Sequence, residues 1–173
     1  MNQEEINYTV GIITSRLYQI EKIQDMMQHK LRNLEAEFAK AKNTNNANKL
    51  VELSLMIDEL TSTLSTLAEE YYALEEELDT IIIAKLQTIA QTTYTSQKEI
   101  KERQKQNEGE RSALVNLKKS TLLKLDNLSP ENYEYNHLVR KLERIDAKIE
   151  ILNAENQELG NALNHLLSPK FGE

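Results

Sequence analysis

Few residues in this chain have the type and spacing that chemistry requires. Its three histidines, His29, His137 and His165, stand far apart, and none falls in an H-x-x-x-H or H-E-x-x-H spacing that would place two ligands on one helix face. Glu134-x-x-His137 is one half of the paired Glu-x-x-His signature of four-helix di-metal sites, and the second half is absent. There is no cysteine, which excludes disulfides, thiolate catalysis and Cys-ligated metals. The run Glu69-Glu70-Tyr71-Tyr72-Ala73-Leu74-Glu75-Glu76-Glu77-Leu78-Asp79 is rich in carboxylates. At helical spacing it scatters them around the helix, and it has no turn glycine to shape an oxygen cage for calcium. A solvated face or a docking site for a basic partner is the expected use. The basic stretch Lys98, Lys101, Arg103, Lys105, Arg111, Lys118, Lys119 and Lys124 could meet phosphates. Glu99, Glu102, Glu108 and Glu110 dilute it, Tyr94 is the one aromatic nearby, and the chain carries 28 acidic against 21 basic residues. The expectation is therefore no enzyme, no cofactor, no metal and no nucleic-acid partner.

The elements that would position such residues are helices. Only 4 Gly and 2 Pro occur in 173 residues, too few for the turns of a sandwich, barrel or α/β fold. From Ile6 the apolar positions run Ile6, Val10, Ile13, Leu17, Ile20, then Gln24, then Met27, Leu31, Leu34, Phe38 and Ala41. This 4-3 alternation averages 3.5 residues, the period of a left-handed coiled-coil seam. Asn43-Thr44-Asn45-Asn46-Ala47-Asn48 interrupts it with residues that favour turns, left-handed conformations and N-caps. Leu50, Leu53, Ile57, Leu60, Leu64, Leu67, Tyr71, Leu74, Leu78 and Ile81 then resume the pattern, which predicts an antiparallel hairpin. Ile82, Leu86 and Ile89 continue at 4-4-3, a stutter in the supercoil.

Between residues 90 and 112 the stripe thins to Tyr94 and Ile100, with Thr92-Thr93-Tyr94-Thr95-Ser96 weak in helix propensity and Gly109 further on. Continuous helix is the favoured reading here, because residues 97–108 are rich in Lys, Arg, Glu and Gln. Asn127-Leu128-Ser129-Pro130-Glu131 marks a turn, with Pro130 suited to the first helical position. The last helix alternates again through Tyr135, Leu138, Leu142, Ile145, Ile149, Leu152, Asn156, Leu159, Leu163 and Leu166, and stops at Ser168-Pro169. The reading is an all-α chain of extended antiparallel coiled-coil hairpins forming one elongated domain over 1–173. It comprises helix 4–42, polar turn 43–48, long helix 49–127 with a weak middle at 90–112, turn 127–130, helix 130–167 and tail 168–173. A break in the weak middle converts three helices into four.

Ile6, Val10, Ile13, Leu17 and Ile20 at one end and Leu138, Leu142, Ile145, Ile149, Leu152, Leu159, Leu163 and Leu166 at the other form the expected packing and oligomerisation seams. Gln24 and Asn156 interrupt them. A buried amide needs a polar partner, so each of the two is a candidate register-setting residue, or else lies at a solvated bundle edge. Ile12, Ala162 and Leu167 widen the terminal stripes beyond what one partner helix covers. Charge is segregated: 7 basic against 15 acidic residues over 1–84, 9 against 4 over 85–125, and 5 against 9 over 126–173. Such a pattern lays an acidic terminal helix along the basic middle, or staggers copies of the chain.

No apolar run is long enough to span a bilayer. Met1-Asn2-Gln3-Glu4-Glu5 has neither the basic nor the apolar region of a cleavable signal, so the expected location is cytoplasmic, or exterior by a signal-independent route such as a dedicated secretion system or a virion. The expected function is a non-enzymatic structural subunit that self-assembles into a filament, sheath or particle lattice, with itself as principal partner and other proteins reached through exposed helical faces. The alternative is a coiled-coil stalk, adaptor or chaperone of a secretion system or phage particle. In general composition the chain is similar to exported filament proteins such as flagellin cores, and in size to stalk proteins of type III export systems; no motif carries a family assignment.

Overall fold

The computed structural model describes residues 3–167, and the described residues are all-helical, with no strand. Four helices follow one another: α1 (Gln3–Asn43), α2 (Ala47–Ala90), α3 (Gln97–Asp126) and α4 (Tyr133–Leu167). The expected stop at Ser168-Pro169 and the tail 168–173 lie outside the described residues. The chain divides into two compact units, the first ending at Leu78 and the second beginning at Asp79, so α2 contributes residues to both.

In the first unit α1 and α2 run antiparallel. Arg16 meets Glu70, Tyr71 meets Glu21 and Lys49 meets Glu37, so partner numbers fall along α2 as they rise along α1. The heptad positions supply the core: Leu34 and Ala41 from α1 with Leu53 and Leu60 from α2, flanked by Met27, Leu31, Phe38, Leu50 and Ile57. Burying one such aliphatic side chain stabilises by about 1.5–3 kcal/mol, which is what selects this face over the polar ones. Further along α1, Ile13 and Ile20 are buried, while Ile6, Val10, Leu17 and the polar Gln24 are half-buried.

The asparagine-rich turn closes the pair by backbone hydrogen bonding. Asn45 adopts the left-handed conformation, at φ 51°. The Asn46 N–H donates to the Ala41 carbonyl at 3.2 Å and the Asn45 N–H to the Lys42 carbonyl at 3.3 Å, the bond pattern of a Schellman C-cap. Asn46 Oδ1 then accepts from the Lys49 N–H and starts α2.

The second unit contains residues 79–90 of α2 together with α3 and α4. Asp79 meets Arg144 and Lys148, and Ala90 lies beside Glu158, so this part of α2 runs in the direction of α4. α3 runs against α4, pairing Arg103 with Glu155 and Lys118 with Asp146. The favoured single helix over 49–127 is therefore corrected. It breaks after Ala90, and α3 starts at Gln97. Two features cause the break. Thr92, Thr93 and Thr95 are β-branched and weak helix formers. Ser96 and Glu99 form a capping box, Ser96 Oγ accepting from the Glu99 N–H and Glu99 Oε2 from the Ser96 N–H, both at 3.2 Å. Gly109, offered by the sequence as a breaker, lies inside α3.

The start of α4 is also corrected, from residue 130 to Tyr133. Pro130 occupies the second position of a turn closed by the Asn132 N–H to the Ser129 carbonyl, at 2.8 Å. Asn132 Oδ1 accepts from the Glu134 N–H at 2.9 Å, so Asn132 caps the helix. α4 buries Leu138, Ile145, Leu152 and Leu159, one residue per heptad. Leu142, Ile149 and Leu163 are half-buried, and Leu166 at the end is exposed.

A buried polar layer as the candidate functional site

The least expected feature of the second unit is charge in its core. Arg103 and Glu155 form a bidentate pair: Arg103 Nε donates to Glu155 Oε1 at 2.8 Å and Nη2 to Oε2 at 2.9 Å. Their side chains are 7% and 2% exposed, so water does little to screen the pair. Hydrogen bonding to Glu155 raises the Arg103 pKa above its ordinary value, against the opposing effect of burial. The guanidinium stays charged at any working pH.

Asn107, one turn further along α3, is fully buried. Its Nδ2 donates both to Glu155 Oε2 at 2.9 Å and to Asn156 Oδ1 at 3.0 Å. Asn156 is half-buried and thus faces an amide across the helix pair. Asn107 Oδ1 has no donor among the described residues, an uncompensated acceptor in an otherwise saturated cluster. At the edge, Arg111 reaches Asn153 at 3.4 Å and Lys118 pairs with Asp146 at 2.5 Å.

A second buried cluster joins α2 to α4. Asp79 accepts from Arg144 Nε at 2.9 Å and also from the Lys148 ammonium. Asp79 and Lys148 are both buried. The two clusters connect α4 to both neighbours through ion pairs whose members come from different helices, so sliding any helix by one residue strands a buried charge. Such arrangements specify alignment more than they add stability.

Placement of the residues singled out in the sequence is mixed. Gln24 and Asn156, similar as sequence signals, differ: Asn156 joins the α3–α4 polar cluster, and Gln24 lies half-buried on α1. Arg103, Arg111 and Lys118 of the basic stretch face α4, with charges matched by acids or amides of the last helix. In the acidic run, Glu70 pairs with Arg16 at 2.6 Å and Asp79 is in the core. The Arg16 hydrogen bond holds the Glu70 carboxyl below its ordinary pKa. Burial, then hydrogen bonding to Glu21, pushes the Tyr71 hydroxyl well above the usual tyrosine range. His29 and His165 are exposed, and His137 stacks edge-on to Tyr133 at 6.3 Å. Among the described residues no group of three metal-capable side chains comes together, and no helix is long and apolar enough to cross a membrane.

Sequence reasoning missed Asp79, Lys148, Glu155 and Asn107 as core residues. Lys148 and Glu155 do carry a faint signal: each follows a buried apolar residue, Ile145 or Leu152, by three positions and they lie seven apart. Taken with α4 alone, that spacing is equally that of a solvated flank.

Beside these clusters lies a cleft of about 430 Å³. Ile82, Leu86 and Ile89 of α2 form one wall and Leu114 of α3 the other, with Lys85 and the carboxylate of Glu110 also lining it and Arg103 and Lys148 deeper. It is mainly apolar, with its deeper cations already held by Glu155 and Asp79. No protein-family model, curated protein or solved structure matches the chain.

Proposed function

We propose that the chain is a non-enzymatic structural subunit that self-assembles by packing helix faces of neighbouring copies, its own helices wrapped as antiparallel coiled-coil hairpins. The observation that carries this reading is a set of exposed aliphatic and aromatic residues at helical spacing. Tyr8 and Ile12 on α1 are 73% and 52% exposed, and Val51 and Leu55 on α2 are 63% and 65% exposed. Leu123 on α3 is 65% exposed, near Val115 and Leu122. Single exposed apolar residues are ordinary, but pairs four apart on one helix form contiguous ridges of the kind that neighbouring helices cover. Within the second unit the buried ion pairs support the same reading, because they hold α3 and α4 in one alignment and so present the α3 residues Val115, Leu122 and Leu123 in a fixed pattern. Segregated charge would then stagger the copies.

Sedimentation velocity across a concentration series, with negative-stain imaging, tests this on the purified protein. Polymers or rings without any added partner are the expected result, weakening as salt is raised. A single sharp monomer at the highest concentration would overturn the reading, and leaves the stalk, adaptor or chaperone role, in which a different protein covers the same ridges.

A further inference from the structure

We propose that α1 carries a second seam, on the side opposite its seam with α2, and that two copies of the chain pair antiparallel along it. This rests on the self-assembly reading above and names one of its contacts. Tyr8, Ile12, Ser15, Gln19, Lys22 and Met26 follow one another at 4-3-4-3-4 spacing, the heptad period of the inner seam, and lie nearly half a turn round the helix from it. All six are exposed, Tyr8 by 73%, Ile12 by 52% and Met26 by 66%. Gly11 and Ser15 are small, and a groove of about 660 Å³ lined by residues of α1 runs along this face. The sets Tyr8-Gly11-Ile12-Ser15 and Ile12-Ser15-Arg16-Gln19, each spaced i, i+3, i+4, i+7, are two successive holes of the kind that the knobs of a coiled-coil partner fill.

The occupant is a second copy because the stripe complements itself when reversed. Turned about the level of residue 17, Tyr8 meets the partner's Met26 in an aromatic–sulfur contact and Ser15 meets the partner's Gln19 as a hydrogen-bonding pair. Ile12 meets the stem of the partner's Lys22, whose ammonium lies over its own Tyr18 ring at 4.5 Å. Each contact occurs twice, as a two-fold axis requires. Charge fixes the direction. Glu4 and Glu5 lie at one end of the stripe, and His29, Lys30 and Arg32 lie just beyond the other, so reversal sets acids beside bases at both ends of the pair. Parallel copies in register would oppose like to like. Glu4, Lys30 and Arg32 have no ion pair among the described residues. Two other charges flank the stripe. Asp25 falls opposite Gly11, and Arg16, which meets its own copy near the axis, is already matched by Glu70 at 2.6 Å. A two-fold contact closes on a pair, so growth beyond the pair belongs to other faces.

The chain has no cysteine, so introduced ones read the contact directly. Ser15→Cys and Gln19→Cys, at exposed polar positions, should each stay unlinked when oxidised alone, and an equimolar mixture should give a disulfide-linked pair. Ile12→Asp should leave circular dichroism unchanged and raise the concentration at which the pair forms by about tenfold or more, as loss of a central anchor does. Linkage of either cysteine variant to itself, with none between the two in the mixture, refutes the antiparallel register. If the wild type polymerises, the mixture stays unlinked and Ile12→Asp assembles equally well, this contact is wrong while self-assembly stands. A wild type that stops at the pair, with the mixture linked, keeps this contact and removes the polymer. A wild type that stays monomeric removes both readings together.

Discussion

Replacing Arg103 by methionine is the sharpest probe of the buried layer. The substitution keeps the length of the side-chain stem and a good helix former, and removes two charge-assisted hydrogen bonds of 2.8 and 2.9 Å to a carboxylate that is 2% exposed. Glu155 then retains one described donor, Asn107 Nδ2. Leaving a buried charge without its partner costs about 3–5 kcal/mol. Counting the two lost bonds at about 1.5–3 kcal/mol each gives about 3–6 kcal/mol, which overlaps that range. A domain of this size has about 5–15 kcal/mol in total, so at least about a fifth of it disappears. Hydrogen exchange of the α3 and α4 amides in the full chain reads the second unit separately from the hairpin. Protection there should fall roughly a hundred- to a few-thousand-fold, at 1.4 kcal/mol for each factor of ten. The triple variant Arg103→Met/Asn107→Leu/Glu155→Leu, which makes the whole layer apolar, should recover most of that protection, since no buried polar group is left without a partner. A loss below about 1 kcal/mol in the single variant, or a triple variant worse than the single, would refute the claim that this pair acts by alignment rather than by net stability.

Other consequences are smaller and local. Glu70, whose pKa is lowered by Arg16, contributes stability that is present above the unfolded carboxyl range and lost as pH falls through its lower folded pKa. NMR titration of its carboxyl should therefore give a midpoint below that of an ordinary glutamate, moving back up in Arg16→Leu; an unchanged midpoint in that variant contradicts the assignment. Asn45, at φ 51°, should accept glycine at little or no cost, whereas Asn45→Val should destabilise the hairpin by about 1–2 kcal/mol in urea unfolding. Ser96→Ala breaks the capping box and should cost about 1 kcal/mol, read as faster amide exchange confined to the first turn of α3. Equal exchange throughout α3 would show that the cap does not set the break.

How far the structure was legible depends on how local each cause is. Ile13, Ile20, Leu34, Leu138 and Leu152 announce themselves by 4-3 spacing, because a helix repeats every 3.6 residues whatever surrounds it. The turn at Asn45 was legible for a similar reason, since the asparagine chemistry acts within the turn. The break at residues 91–96 was within reach: S-x-x-E at Ser96 and Glu99 is a capping signal, but the expectation of a continuous helix rested on the helix-forming residues 97–108 and took no account of it. Pro130 was misplaced by three residues because a proline suits a turn's second position as well as a helix's first, and the choice fell to Asn132.

The buried layer was not legible, for a different reason. Lys148 and Glu155 look like solvated flank residues on α4 taken alone, and burying either without a partner would be prohibitive. What makes their burial tolerable sits on other helices, at Asp79, Arg103 and Asn107, between 48 and 69 residues away in sequence. Periodicity along one chain segment determined that the protein is helical and which stripe of each helix is apolar. The tertiary arrangement alone decided which charges could enter the core, because the energy of a buried charge depends on the particular groups that meet it across the bundle.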